Sequence, residues 1–162
     1  MMDFSKRLEK AIERGQRRGD VRARAAAEKA ISEKELQRLH SQYRLELAER
    51  IEQCLGQLAD HFPGFRFETI VDEKGWGAAI GRDDVGVRDS GRRVNFFSYL
   101  EMVIRPFSSY HVLDLAAKAT IRNKELFNRS HYQRLTEVDV TSFSEMIDIW
   151  SLEFGEMFAS KS

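Results

Sequence analysis

Apolar residues recur at spacings of three and four ahead of the first proline, Pro63: Leu36, Leu39, Tyr43, Leu47, Ile51, Leu55, Leu58 and Phe62. That spacing places them on one face of a 3.6-residue helix. Ser32 and Glu35 stand at capping-box spacing, which predicts a main helix from about 33 to 62. Phe62-Pro63-Gly64 ends it, because proline cannot continue the hydrogen-bond ladder and glycine tolerates a left-handed turn. Upstream, Phe4, Leu8 and Ile12 form a shorter stripe that fades at Gly15 and Gly19, each costing a helix about 1 kcal/mol relative to alanine. From Arg22 to Ala30, alanines and charges favour helix but offer little to bury. Residues 1–31 therefore read as a basic helical arm, partly mobile without a partner, and residues 32–162 as a single α+β domain.

Beyond Gly64 the period changes to two. Phe65, Phe67, Thr69 and Val71 alternate with Arg66, Glu68, Ile70 and Asp72 and predict a strand with one apolar face. A turn at Asp72 to Gly75 leads to a second strand, Trp76 to Arg82, and Asp83 to Arg93 has the composition of a solvated loop. Val94, Phe96, Leu100, Met102 and Ile104 mark a longer third strand. Pro106 and Ser108-Ser109 turn the chain into a fourth, with Leu113, Leu115, Ala117, Ala119 and Ile121 inward. Asn123-Lys124 reads as a two-residue hairpin turn and Leu126 to about Arg129 as a short last strand, although the alanines at 116, 117 and 119 would also suit a helix. Ser142 and Glu145 signal a closing helix with Phe143, Met146, Ile147, Trp150, Phe154, Met157 and Phe158 on one face, widened by Ile149 and Leu152. The fold class is α+β: a long N-terminal helix, an antiparallel meander of four or five strands, and a C-terminal amphipathic helix packed on the sheet.

The third strand is apolar on both sides, since Phe97, Tyr99 and Val103 alternate with its inward set, and the fourth adds Tyr110 and Val112 on the matching face. If the C-terminal helix covers one face, the long N-terminal helix is expected to cover the other. A partner, a ligand or a second protomer is the alternative.

At 162 residues the chain suits one domain with an appended arm. Its 26 basic and 26 acidic residues cancel, so net charge argues for no class of partner. Their distribution is uneven. Residues 6–24 carry eight basic side chains against Glu9, Glu13 and Asp20, a net +5, whereas from Leu135 onward six acids face only Lys161, a net −5. Cys54 is the only cysteine, which excludes an intrachain disulfide and a multi-cysteine zinc site and fits a reducing, cytoplasmic setting. The opening Met1 to Ser5 leads into charged residues instead of an apolar segment, and no run approaches a membrane span.

No catalytic pattern holds together. Gly75-Trp76-Gly77-Ala78-Ala79-Ile80-Gly81 lacks the third glycine of a dinucleotide fingerprint, having Ile80 there, and no helix follows. Its glycines mark a hairpin whose backbone lies close to another element. His40, His61, His111 and His131 share no i, i+4 spacing, so no metal or cofactor is assigned. Ser130-His131 and Ser109-Tyr110-His111 are sequence neighbours, the wrong geometry for a triad, and Cys54 beside the helix stripe reads as a small core residue. Asp83-Asp84 suit a turn.

Two features stand above this background, the arm and the third strand that is apolar on both sides, whereas the aromatic and basic stretch from Phe127 to Arg134 needs no role beyond that of a surface strand. The arm, with Arg14, Arg17, Arg18 and Arg22, has the cation density that phosphate-backbone binding requires. The stretch Phe127 to Arg134 has the composition of a base-stacking platform without matching an RNA-binding motif. The expectation is thus a non-catalytic interaction or chaperone-like adaptor module, as a homodimer or with a protein partner, using Phe97, Tyr99, Val103, Tyr110 and Val112. A nucleic-acid-associated protein working through the arm is one alternative. A binder of small apolar ligands, with a cavity between the sheet and the Trp150 helix, is the other.

Overall fold

The computed structural model describes residues 3–161; Met1, Met2 and Ser162, at the ends of the two segments read from the sequence, lie outside them. The elements are α1 (Phe4–His61), β1 (Arg66–Asp72), β2 (Gly75–Val87), β3 (Arg93–Ile104), β4 (Val112–Ile121), β5 (Lys124–Arg134), a 3₁₀ turn (Leu135–Glu137) and α2 (Val140–Lys161). The chain divides into two compact units, Met1–Arg38 and Leu39–Ser162.

In the first unit every described residue from Asp3 to Ala30 is exposed. Ser32 starts no helix, because α1 already runs through it, and Glu35 instead pairs with Arg38 one turn on. Capping-box spacing marks a start only where the preceding residues leave the helix. Here alanine-rich sequence keeps them in it.

In the second unit the five strands form one antiparallel sheet in sequence order, β1-β2-β3-β4-β5. Residues 116–134 are strand and turn, which settles the helix alternative there. The strands also run further than their local composition suggests. β2 continues through Asp83 to Val87 and the turn is confined to 88–92, where Gly91 has φ +79°. Val85 and Val87 pair with Asn95 and Arg93, so the segment read as a loop is a two-stranded ribbon. The β4–β5 turn is Arg122-Asn123, with φ of +48° and +70°, one residue earlier than the sequence implied. Positive φ at both central residues is what a tight hairpin with the native strand twist requires, and asparagine tolerates it. Asn123 also bonds across to β3: its Oδ1 accepts from Phe97 N at 2.8 Å and its Nδ2 donates to the Asn95 carbonyl at 3.0 Å. β5 then extends to Arg134.

Residues paired across an antiparallel ladder share a face. One face carries Ala78, Ile80, Leu100, Met102, Ile104, Leu113, Leu115, Ala117, Ala119 and Ile121, all nearly inaccessible. Both helices pack here. From α1 come Leu47, Ile51 and Leu55, fully buried, with the Arg44 guanidinium 4.2 Å from the Trp76 ring centre. From α2 come Phe143, Ile147, Trp150, Phe154 and Phe158, with Trp150 against Phe127 and Phe143 edge-on to His131. Burying each such side chain stabilises the fold by about 1.5–3 kcal/mol. The contacts Arg50–Asp148, Leu58–Gly155 and Phe62–Phe158 advance together along both helices, so α1 and α2 run parallel.

Three further expectations change. α2 begins at Val140, capped by Asp139, whose Oδ1 accepts from Thr141 N at 3.1 Å; Ser142, the expected cap, accepts from Gln133 Nε2 at 2.9 Å instead. Ile149 and Leu152 are exposed, because the sheet and α1 together cover only one stripe of α2. In β1 the buried residue is Ile70, while Phe67 and Val71 are exposed at the sheet edge. Glycines 75 and 77 do mark a close approach: a Cβ on Gly77 would lie 1.9 Å from the Met102 carbonyl oxygen.

Candidate functional site

Among the described residues of the second unit no helix lies on the opposite sheet face, so the part of α1 in this unit does not cover it as expected. A helix that leaves the sheet's far side bare must spend its apolar stripe elsewhere, and α1 spends it beside α2. The register brings the expected surface together on this bare face: Phe97 opposite Asp83, Tyr99 opposite Gly81 and Thr120, Val103 opposite Gly77 and Ala116, and Val112 opposite Arg134. Tyr110 sits in the turn before β4 and is 84 % exposed.

This face has a small apolar floor of its own. Ile70, Ala79, Val103 and Ala116 form a buried cluster under the Tyr99 ring. Small residues at Gly77, Ala79 and Gly81 let that ring lie down across β2; a Cβ on Gly81 would meet it at 3.4 Å. Phe97 stacks on Tyr99, with centroids 5.6 Å apart and planes 22° off parallel. The surface continues outward along the ribbon through exposed Val85 and Val87.

Sequence reasoning passed over Glu101, which lies at the centre of this face and is 6 % exposed. It stands opposite Ala79 and Lys118 in the ladder. The Tyr99 hydroxyl donates to its Oε1 at 2.9 Å, and Lys74 Nζ approaches at 3.8 Å. Burial first, then the bond to the Glu101 carboxylate, raises the Tyr99 pKa well above that of a free phenol. The phenol is a fixed donor. The available signal was a lone carboxylate inside the apolar run from Tyr99 to Ile104.

At the other end of the face an open groove of about 590 Å³ is lined by Arg105, Pro106, Ser108, Tyr110, Val112, Asp114 and Tyr132. Asp114 and Tyr132 are a ladder pair, and Arg105 Nε lies 3.6 Å from Asp114 Oδ2. Tyr132, 67 % exposed, belongs to the stretch with the composition of a base-stacking platform; strand alternation divides that stretch between the two faces, Phe127, Arg129 and His131 turning toward α2.

A second polar cluster lies between the helices. Arg50 holds Asp148 by two hydrogen bonds of 2.9 and 2.7 Å, and the Cys54 thiol donates to Asp148 Oδ1 at 3.3 Å. The Arg50 guanidinium holds the Asp148 carboxyl below the usual range, whereas burial and the carboxylate push the thiol up to about 11. Cys54 is therefore a hydrogen-bond donor at neutral pH, not a thiolate. A groove of about 300 Å³ beside it is lined also by Gln57, Leu58, His61, Ser151 and Leu152. The interior between the sheet and Trp150 is occupied by Phe127, Phe143, Ile147 and Phe154.

The four histidines are dispersed: His40 bonds the Arg105 carbonyl, His61 is exposed, His111 stacks near Phe107 at 5.7 Å and His131 contacts Ser142. Among the described residues no group of three His, Cys, Asp or Glu side chains is placed to hold a metal ion, and no helix is long and apolar enough to cross a membrane. Arg14, Arg17, Arg18 and Arg22 are all exposed on α1. Comparison with family models, with curated proteins and with solved structures finds no match.

Proposed function

We propose that this chain is a non-catalytic protein-interaction module of adaptor or chaperone-like type, which holds a protein partner on the helix-free face of its sheet. One observation supports the reading: in the second unit α1 and α2 both pack on the same face, leaving Phe97, Tyr99, Tyr110, Val112 and Tyr132 on the other with no described element of that unit over them. Exposed aromatics at both ends of the face, with polar groups beside them, suit protein contact, because tyrosine and phenylalanine bury a large area at small cost in side-chain entropy. Arg105, Asp114 and Arg134 flank Tyr110, Val112 and Tyr132, and Lys118 lies between the two aromatic ends. A single cysteine held as a thiol fits a cytoplasmic setting.

The test compares the full chain with a Tyr110→Asp, Tyr132→Asp variant, both checked for equal thermal stability. Affinity purification from the cells of origin, followed by reconstitution with the purified partner, should give a complex that the variant forms at least about tenfold more weakly. A reconstituted complex that ignores both substitutions overturns the reading.

The exposed arginines of the arm favour a second reading, a nucleic-acid-associated protein. It requires binding that falls steeply with salt and disappears when Arg14, Arg17, Arg18 and Arg22 become alanine. Salt-insensitive or undetectable binding removes it.

A further inference from the structure

The arm has a pattern that nothing in its own unit uses. Once α1 is known to be continuous from Phe4, residues eleven apart fall within about 20° of one another, three turns along. The series Phe4-Gly15-Ala26, Leu8-Gly19-Ala30 and Ile12-Ala23 then share one face about 100° wide, with Arg22, five turns beyond Phe4, at its basic edge. Phe4, Leu8 and Ile12 are 76 %, 46 % and 51 % exposed, an apolar surface that no described residue of this unit covers. The glycines add to the case. Each costs the helix about 1 kcal/mol relative to alanine, yet a Cβ on Gly15 or Gly19 would have nothing within 4 Å. This chain's own packing does not require them. A second backbone approaching closely would.

Charge selects the occupant. Leu8 stands between Arg7 and Glu9, and Gly19 between Arg18 and Asp20, so along the apolar face one flank is basic and the other acidic. When two identical helices pair in parallel about a two-fold axis, the preceding flank of each meets the following flank of the other. Basic then faces acidic on both sides. In an antiparallel pair of the same helices like flanks meet, and the contact is repulsive.

We propose that residues 4–30 pair in parallel with the same segment of a second copy of this chain, through the Phe4, Leu8, Ile12, Gly15, Gly19 face. Eleven-residue spacing gives a nearly straight or slightly right-handed pair. This surface is separate from the sheet face, so the two proposals stand or fall independently. Together they would present two copies of the sheet face to a partner, with the gain in avidity that linked sites bring.

Sedimentation equilibrium of the full chain over a concentration series should show a reversible dimer. Glu9→Lys with Asp20→Lys makes both flanks basic, and Arg7→Glu with Arg18→Glu makes both acidic. Each variant alone should dissociate at least about tenfold more readily, and an equimolar mixture should recover the dimer. These positions are solvent-exposed, and circular dichroism checks that helix content is unchanged in each. Orientation is read with Ala26→Cys, near the midline of the face, in a Cys54→Ser background, which should oxidise to a disulfide-linked dimer only if the arms are parallel. A monomer at every concentration, a dimer insensitive to both charge variants, or failure of Ala26→Cys to cross-link in a dimeric sample overturns the proposal. A monomer that binds duplex DNA at low salt overturns it in favour of the phosphate-binding arm.

Discussion

The Nε2 of His40 lies 3.0 Å from the main-chain carbonyl oxygen of Arg105. A carbonyl oxygen only accepts, so Nε2 carries the proton. The ring is 2 % exposed and stands edge-on to Phe107, joining α1 to the strap between β3 and β4. Burial is the largest influence on this imidazole and lowers its pKa from the usual 6.5; the carbonyl pulls it partly back and the charge of Arg44 lowers it further.

A lowered folded-state value means that the unfolded chain takes up a proton which the folded chain refuses. The stability tied to His40 is therefore complete above about pH 6.5 and is lost as pH falls below it, at up to about 1.4 kcal/mol per pH unit. Urea unfolding between neutral pH and pH 5 should show this decline. His40→Gln should be less stable at neutral pH yet lose less on acidification. Parallel pH profiles for the two proteins would show that His40 is not the titrating group.

Cys54 is expected to resist alkylation. With the thiol pushed up to about 11, only about one molecule in a thousand is thiolate at pH 8, and the side chain is half-buried against Asp148. Iodoacetamide should label native protein far more slowly than urea-unfolded protein. Asp148→Asn removes the acceptor charge and should speed labelling; native reactivity equal to that of the unfolded chain contradicts the geometry.

The glycines separate by environment. Gly77→Ala drives a Cβ to within 1.9 Å of the Met102 carbonyl oxygen, and the neighbour is ladder backbone that cannot swing aside. Overpacking of this kind costs about 3 kcal/mol, enough to lower the melting temperature by many degrees. Gly56→Ala, with nothing within 4 Å, should instead stabilise α1 by up to about 1 kcal/mol. Equal effects at the two positions would refute the assigned close approach.

Much of this molecule is legible in its periodicities. The Leu36-to-Phe62 stripe, the inward set Leu113 to Ile121 and the Phe143-to-Phe158 face all lie where spacing put them, because burial of one face is what generates such patterns. The misread strand ends share one cause. Asp83 to Val87, Arg122-Asn123 and Ser130 to Arg134 are mostly polar or turn-forming residues held in strands and a tight turn by pairing with β3 and β4, information that resides in the partner strand. The candidate surface was legible as a set of apolar positions. That it stays bare was not, because nothing local in α1 and α2 says that both pack on the same side of the sheet. Glu101 was obscured for a related reason: its partner hydroxyl is two residues away along the same strand face, an adjacency that only strand geometry creates.

Tyr99 and Glu101 supply the last test. The carboxylate is 6 % exposed and depends on the phenol at 2.9 Å, with Lys74 further off at 3.8 Å. Tyr99→Phe keeps the ring over Ile70, Ala79, Val103 and Ala116 but deletes the donor, so the loss in unfolding free energy should be about 1–3 kcal/mol, the range for a buried acceptor left short of a partner. The raised phenol pKa has its own signature. The folded chain keeps a proton that the unfolded chain releases above about pH 10, so this contribution is complete below pH 10 and lost as pH rises beyond it. Wild type should lose stability between pH 9 and pH 11, and Tyr99→Phe should lose less over that interval. Glu101→Gln retains an acceptor for the hydroxyl while removing the charge, and should leave the onset of the alkaline loss in place while making the total loss smaller, because the folded-state phenol then releases its proton at lower pH. If Tyr99→Phe matches wild type at pH 8 and at pH 11, the bond contributes nothing, and the centre of the bare face is held by the apolar floor alone.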